Sequence, residues 1–274
     1  MKILVAAVAV LALAGCTLSV APDRDEEFPA QPTAAALPST GSFDYQLGGG
    51  YEPAEGTTIV ARDRTDEPAA GLYTICYVNG FQSQGEDADL WAENDDLILH
   101  DAAGDPVIDA NWPDEYLFDT STAEKREGLA AIVGEWIDGC AADGFDAVEF
   151  DNLDSFSRSD GALTEDDNVA LATLLVSRAQ QAGLEAGQKN SAEFGARGPE
   201  IGFSFAVAEE CHRWDECALY TDVYGDAVLD IEYTDDLRGT AEEVCADPQL
   251  PSRTIIRDRD LTQPDNAAYF FEAC

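Results

Sequence analysis

The sequence is poor in positive charge. Lysine and arginine together number 15 against 55 aspartates and glutamates, and the only lysines are Lys2, Lys125 and Lys189. A chain with a formal charge of −40 repels nucleic acid and anionic polymers and attracts polycations, so no nucleic-acid partner is expected. The acids are spread over the whole chain, as adaptation to salt or simple solubility would also spread them, and charge alone names no substrate. Histidine is scarce as well, with only His100 and His212. A serine or cysteine triad needs a positioned histidine, and neither has a convincing partner. His100 sits in an acidic stretch and reads as surface, whereas His212, between Cys211 and Arg213, reads as packed or substrate-facing. There is no Cys-x-x-Cys pair, which leaves little to hold zinc. No metal and no other cofactor is expected. Gly48, Gly49 and Gly50 lack the spacing of a dinucleotide-binding fingerprint, and no internal repeat is visible. After the first residues, no apolar run is long enough to cross a bilayer.

What is present begins at the N-terminus. The first residues read MKILVAAVAVLALAGC. Lys2 gives a positive start, and Ile3 to Ala14 form an apolar run of roughly a dozen residues, the length of a signal-peptide core. Leu13-Ala14-Gly15-Cys16 resembles the lipobox of bacterial lipoproteins. That resemblance implies cleavage before Cys16, acylation of its thiol and new amine, and anchoring in the cell membrane on the extracytoplasmic side. The alternative is an ordinary secretory signal with an incidental cysteine. Residues 17–40 are rich in Ala, Pro, Thr, Ser and acid without a sustained apolar period, and read as a flexible tether. The expected organisation is a signal peptide over 1–15, a lipidated cysteine and linker over 16–40, and one domain over 41–274. Without Cys16 six of the seven cysteines remain. An even set in an exported domain points to disulfides, with Cys211–Cys217 expected as a short loop clip.

Short apolar or β-branched runs alternate with helical patterns. Strands are expected at Phe43–Leu47, Thr57–Ala61, Leu72–Val78, Ala147–Phe150, Glu185–Gln188, Phe203–Ala208, Val228–Tyr233 and Thr254–Ile256. Between them, Ala123–Ala142 places Leu129, Ile132, Val133, Trp136 and Ile137 on one helical face. Thr164–Ala182 opens with a capping threonine and acids in its first turn, and Gly183 closes it. The pattern and length fit an α/β protein of one domain, a (β/α)8 TIM barrel of roughly 250 residues, more closely than an open doubly wound sheet. The proline-interrupted last forty residues give no clear helix.

Working groups in such a barrel project from strand C-terminal ends. The polar residues there are Asp44, Tyr45 and Gln46; Tyr77 and Asn79; Glu149, Asp151, Asn152 and Asp154; Lys189 and Asn190; Glu209 and Glu210; Glu232 and Tyr233. The densest run is Gly144-Phe-Asp-Ala-Val-Glu-Phe-Asp-Asn-Leu-Asp154. A buried parallel strand should be nearly all apolar, and here acids alternate through it. Gathering unpaired carboxylates is costly, and is kept where paired acids of unequal pKa or a cation site are needed. A solvated loop or a calcium site would also use such residues, but the spacing is not that of an EF-hand. Two carboxylates acting on a glycosidic bond need neither histidine nor metal. Tyr45, Tyr77, Trp112, Tyr116, Phe156, Trp214 and Tyr233 lie in or beside these loops, where aromatic faces suit sugar rings.

On these residues the chain resembles glycoside hydrolase family 114, the endo-α-1,4-polygalactosaminidases. The resemblance runs over about residues 43–235. It is carried by Asp44-Tyr-Gln-Leu-Gly-Gly49, Cys76-Tyr-Val-Asn79, Trp112-Pro-Asp-Glu115, Gly144 to Asn152, Lys189-Asn190, Ala208-Glu-Glu-Cys211 with Cys217, and Ile231-Glu-Tyr233. It implies a retaining enzyme cutting within α-1,4-linked galactosamine chains, with Asp151 as nucleophile and Glu209 as acid/base. Around the cleaved sugar it implies Asp44, Tyr77, Glu149, Asn152, Lys189, Glu232 and Tyr233. Lys189 would keep Asp151 ionised, and acidic neighbours would keep a proton on Glu209. A deacetylated, cationic amino-sugar polymer would suit an anionic cleft. Two departures from the family pattern are Glu210, where glutamine is frequent, and the loop Gly80–Glu86, which lacks the usual charges. The alternatives are a binding lipoprotein that has lost catalysis and an α-glycosidase acting on another sugar.

Overall fold

The computed structural model describes residues 34–274. Cys16 and the expected signal segment lie outside the described residues. Nine strands form one sheet: β1 (Ser42–Tyr45), β2 (Thr57–Asp63), β3 (Tyr73–Asn79), β4 (Ala147–Asp151), β5 (Glu185–Lys189), β6 (Phe205–Glu209), β7 (Val228–Tyr233), β8 (Thr254–Arg257) and β9 (Phe271–Ala273). The first eight are parallel and pair in sequence order. They curl into a nearly closed (β/α)8-type barrel. The helices are α1 (Ala88–Glu93), α2 (Ala123–Asp143), α3 (Glu165–Ala182), α4 (Arg197–Ile201), α5 (Cys211–Trp214), α6 (Cys217–Tyr224) and α7 (Ala241–Cys245). The β1–β2 and β2–β3 connections carry none, so the helical ring is incomplete there.

The two long helices form for local reasons. Thr122 caps α2 by accepting the Lys125 N–H, and left-handed Gly144 closes it. Thr164 and Asp167 cap α3 reciprocally, and left-handed Gly183 ends it. Leu129, Val133, Ile137 and Cys140 recur along one face of α2, and Leu171, Leu175 and Ala179 along α3. Both faces pack on the outward side chains of β3 and β4, Cys76, Val78, Val148 and Phe150. Each fully buried side chain of this size contributes about 1.5–3 kcal/mol. A disulfide from Cys76 to Cys140 ties β3 to α2, Cys211–Cys217 joins α5 to α6, and Cys245–Cys274 holds the end of β9 beside α7.

The opposite face of the strands fills the barrel with Phe43, Ile59, Ile75, Ala147, Phe205, Val207, Leu229, Ile231 and Ile255. Gly187 belongs to this layer because a Cβ there would stand 2.3 Å from the Phe205 ring. β1 and β8 form no ladder among the described strands, and β8 pairs instead with antiparallel β9. Buried Arg257 seals the seam: Nη1 donates to Asp44 Oδ1 at 3.0 Å and to the Tyr45 carbonyl, while Nε and Nη2 donate to the carbonyls of Phe270 and Thr262. Neither β9 nor Arg257 is foreshadowed by the periodicity of the proline-interrupted tail.

Candidate active site

Strand alternation decides which polar groups meet. Tyr45, Tyr77 and Tyr233 share the inward face of their strands with barrel-filling residues, and Glu149 and Asp151 share the face of Ala147. Lys189 follows the parity of Gly187, and Glu209 that of Val207. Above the apolar layer these side chains converge at the strand C-terminal ends. The chain then turns away sharply, with Asn152, Asn190 and Glu210 in left-handed conformation directly after Asp151, Lys189 and Glu209. Asparagine tolerates that region, whereas a glutamate there is strained by about 1–2 kcal/mol. Arg259 holds Glu210 by an ion pair of 2.8 Å.

Lys189 is the centre of the cluster. Its side chain is 2% exposed, and Nζ lies 3.3 Å from Glu149, 3.2 Å from Asp151 and 3.3 Å from Glu209. Nζ also donates to the Tyr45 hydroxyl at 2.9 Å. Burial works against the ammonium, but Asp151, Glu209 and Glu149 together hold Lys189 well above the usual lysine range. Burial also works against the Asp151 carboxylate. Lys189, the Asn152 N–H at 2.6 Å and the Tyr77 hydroxyl at 2.8 Å outweigh it and keep Asp151 below the ordinary range. Glu149 behaves oppositely: burial pushes it up to about 7 despite Lys189 and the Tyr45 hydroxyl at 2.7 Å. One of its oxygens, Oε2, has no hydrogen-bond partner.

Glu209 closes the other side. Its Oε2 accepts from Asn190 Nδ2 at 3.1 Å, and its Oε1 accepts from the Tyr233 hydroxyl. Asn190 Oδ1 in turn accepts the Glu209 N–H at 2.8 Å, which fixes the strand end. Asp151 and Glu209 are the open members of the cluster, with side chains 17% and 28% exposed.

Of the residues named from the sequence, Tyr77, Glu149, Asp151, Lys189, Glu209 and Tyr233 are brought together. Asn152 stands at the rim, donating to Asn79 at 2.8 Å and accepting from Arg158 at 2.7 Å. Asp44 and Glu232 are not brought to the cluster. Asp44 faces away from its β1 neighbours Phe43 and Tyr45, and its oxygens are taken by Arg257, Tyr51 and Gln46. Glu232 is fully buried on the outward face of β7, where its Oε1 accepts the His212 N–H at 2.8 Å. Burial pushes Glu232 up to about 7, with the His212 N–H opposing and Glu210 adding to the rise. Tyr45 and Asn190 join the cluster as well; the sequence marked them as strand-end and motif residues, and Tyr45 as an aromatic face, without assigning either to the cleaved sugar. Counting alternate residues from Phe43 and from Ile231 would have separated Tyr45 from Asp44 and Tyr233 from Glu232.

His212 packs beneath the loops, with Nε2 3.3 Å from Asp247. Cys211, Cys217 and Asp230 lie close together, but the two sulfurs are bonded to each other and are not available to a metal. An open hollow beside α2, lined by Asp95, His100, Glu124, Lys125 and Ile132, contains no member of the cluster.

A parallel barrel with acids gathered at its C-terminal mouth is an architecture that glycoside hydrolases use. The chain belongs to glycoside-hydrolase family GH114, whose profile matches residues 25–274. In fold it is similar to Ega3 of Aspergillus fumigatus, solved in complex with galactosamine. The two are 22% identical with a TM-score of 0.71, over 89% of this chain and 100% of the other. It is also similar to the glycoside hydrolase domain of PelA from Pseudomonas aeruginosa, at 16% identity and a TM-score of 0.54, over 82% of this chain and 97% of that one. No curated protein matches the chain.

Proposed function

We propose that this glycoside hydrolase cuts internal α-1,4 linkages of a galactosamine-containing polysaccharide with retention, Asp151 acting as nucleophile and Glu209 as acid/base. The carrying observation is that both acids touch one ammonium, at 3.2 and 3.3 Å. Their facing oxygens are therefore no farther apart than those two contacts laid end to end. A retaining pair requires carboxyl groups about 5–5.5 Å apart, and acids that share one ammonium are compatible with that spacing.

In the first step an Asp151 oxygen bonds to the anomeric carbon as the glycosidic C–O bond breaks, and the proton of Glu209 passes to the leaving oxygen. In the second step water attacks the same carbon, gives its proton to Glu209 and displaces Asp151. Lys189, Tyr77 and the Asn152 N–H keep Asp151 ionised for attack. Glu149 at about 7 is largely protonated below neutrality, which leaves more of the Lys189 charge to Asp151. Tyr233 and Asn190 fix the direction of Glu209.

The choice of sugar is supported by family membership, by the galactosamine named for Ega3, and by a cleft richer in acid than in base. The test is reducing-end release from α-1,4-galactosamine polymer by wild type, Asp151→Asn and Glu209→Gln. Loss of activity in both variants is expected, and undiminished activity in both removes the assigned roles. The same reading attaches the enzyme to the outer face of the cell membrane through Cys16. Incorporation of labelled palmitate by wild type but not by Cys16→Ser is the expected result.

A further inference from the structure

The loop between β3 and α2 brings one more acid to the barrel mouth, Glu115. Asn79, at the end of β3, pairs in register with Asp151. Its Nδ2 donates to Glu115 Oε2 at 3.3 Å, and Gln82 Nε2 donates to the same oxygen at 2.7 Å. Asn79 Oδ1 accepts from Asn152, whose N–H donates to Asp151. Glu115 is thus linked to Asp151 through two asparagines.

The cations of this rim are unevenly shared. Asp109 and Asp154 both lie 2.7 Å from Arg158, and Asp151 has Lys189. Among the described residues Glu115 has no cation, only neutral amide donors, and nothing donates to its Oε1. Burial pushes this half-buried carboxyl up, Gln82 pulls it back and Asp151 adds to the rise. Holding an uncompensated carboxylate beside another negative charge is unfavourable. A cation delivered by the substrate removes that cost. Trp112, 63% exposed, lies in the same turn, and its carbonyl accepts the Glu115 N–H at 3.0 Å.

We infer that Glu115 is a specificity-determining residue that receives the ammonium of a deacetylated hexosamine unit bound next to Asp151. The inference rests on the proposed hydrolysis of an amino-sugar polymer and adds the group that tells a free amine from an acetamide. A free ammonium forms a charge-assisted hydrogen bond with Glu115 Oε1, whereas an acetamide offers one weak donor and a methyl group.

The experiment compares wild type with Glu115→Gln, which keeps the shape and an acceptor for Gln82, on α-1,4-galactosamine oligomers and their fully N-acetylated counterparts. A charge-assisted hydrogen bond corresponds to about ten- to a hundredfold in kcat/KM. The variant is expected to lose that factor on the deacetylated oligomer, mainly through KM, and several-fold less on the acetylated one. Equal losses on both, or no loss on either, overturn the inference. Calorimetric binding of both oligomers to Asp151→Asn and to Asp151→Asn/Glu115→Gln reads it without turnover. Selective weakening of the deacetylated oligomer supports it, and equal affinities overturn it. Activity lost from Glu115→Gln alone therefore stands apart from the Asp151 and Glu209 tests of the hydrolytic reading.

Discussion

Lys189 Nζ rests 3.2 Å from Asp151 Oδ2, and that same oxygen accepts the Tyr77 hydroxyl at 2.8 Å. The carboxylate is held ionised by the ammonium more than by solvent. Lys189→Met should therefore raise the Asp151 pKa and move the acid limb of the kcat/KM profile to higher pH. It should also lower activity at neutrality. An acid limb that stays where it is in wild type would show that Lys189 does not control Asp151.

Glu149 links site chemistry to stability. It titrates at about 7 when folded, whereas an unfolded glutamate titrates at about 4.3. Between these values the folded chain keeps a proton that the unfolded chain has released, so stability falls as pH rises through that window. The loss is on the order of 4 kcal/mol. Glu149→Gln, uncharged throughout, should flatten the slope in urea titrations from pH 4.5 to 8. Glu232, also at about 7, should leave a further slope that Glu149→Gln/Glu232→Gln reduces again, while buried Asp230, likewise pushed up by burial, keeps a remainder of it. A slope unchanged by both substitutions would rule these groups out as its source.

Stereochemistry tests the spacing of the two acids. If Asp151 and Glu209 work as a retaining pair, the first product seen by proton NMR carries the α configuration at its new reducing end. An initial β product would mean that water attacks directly, and Asp151 would not be the nucleophile.

Arg257 and Asp44 close the barrel seam with both side chains fully buried. Removing one member of a buried pair strands the other, at a cost of about 3–5 kcal/mol. Arg257→Ala should lower the denaturation midpoint accordingly. The exposed pair of Arg178 and Asp138 on α3 and α2 should matter far less, as surface pairs generally do. Equal effects from the two arginines would contradict the seam role.

The disulfides should differ by the loops they close. Cys76 and Cys140 are 64 residues apart and Cys211 and Cys217 only 6. Chain entropy assigns them about 4 and about 2 kcal/mol respectively. Paired Cys→Ala variants compared by denaturant unfolding check that order.

Much of this is legible in the sequence. α2 and α3 announce themselves by threonine caps, apolar recurrence and closing glycines, all local signals. The acids of Ala147–Asp151 stand out because a doubly covered strand has no other reason to carry them. The helix-free first crossovers, the short β9 and its disulfide were not legible, because short irregular segments carry no period. The motif residues Asp44 and Glu232 read from sequence as neighbours of Tyr45 and Tyr233, and only the strand faces part them.

By itself the sequence determined the class of fold and the type of chemistry, since periodicity, capping and an unusual load of carboxylates at strand ends are properties of residues close in the chain. The tertiary structure decided which of those carboxylates share a proton environment. Lys189 meets Glu149, Asp151 and Glu209 only because three successive strands, separated by helical connections, end side by side around one axis, and Glu115 reaches them only through a fold-specific loop. Charge coupling depends on distance through space, and a linear chain does not state that distance.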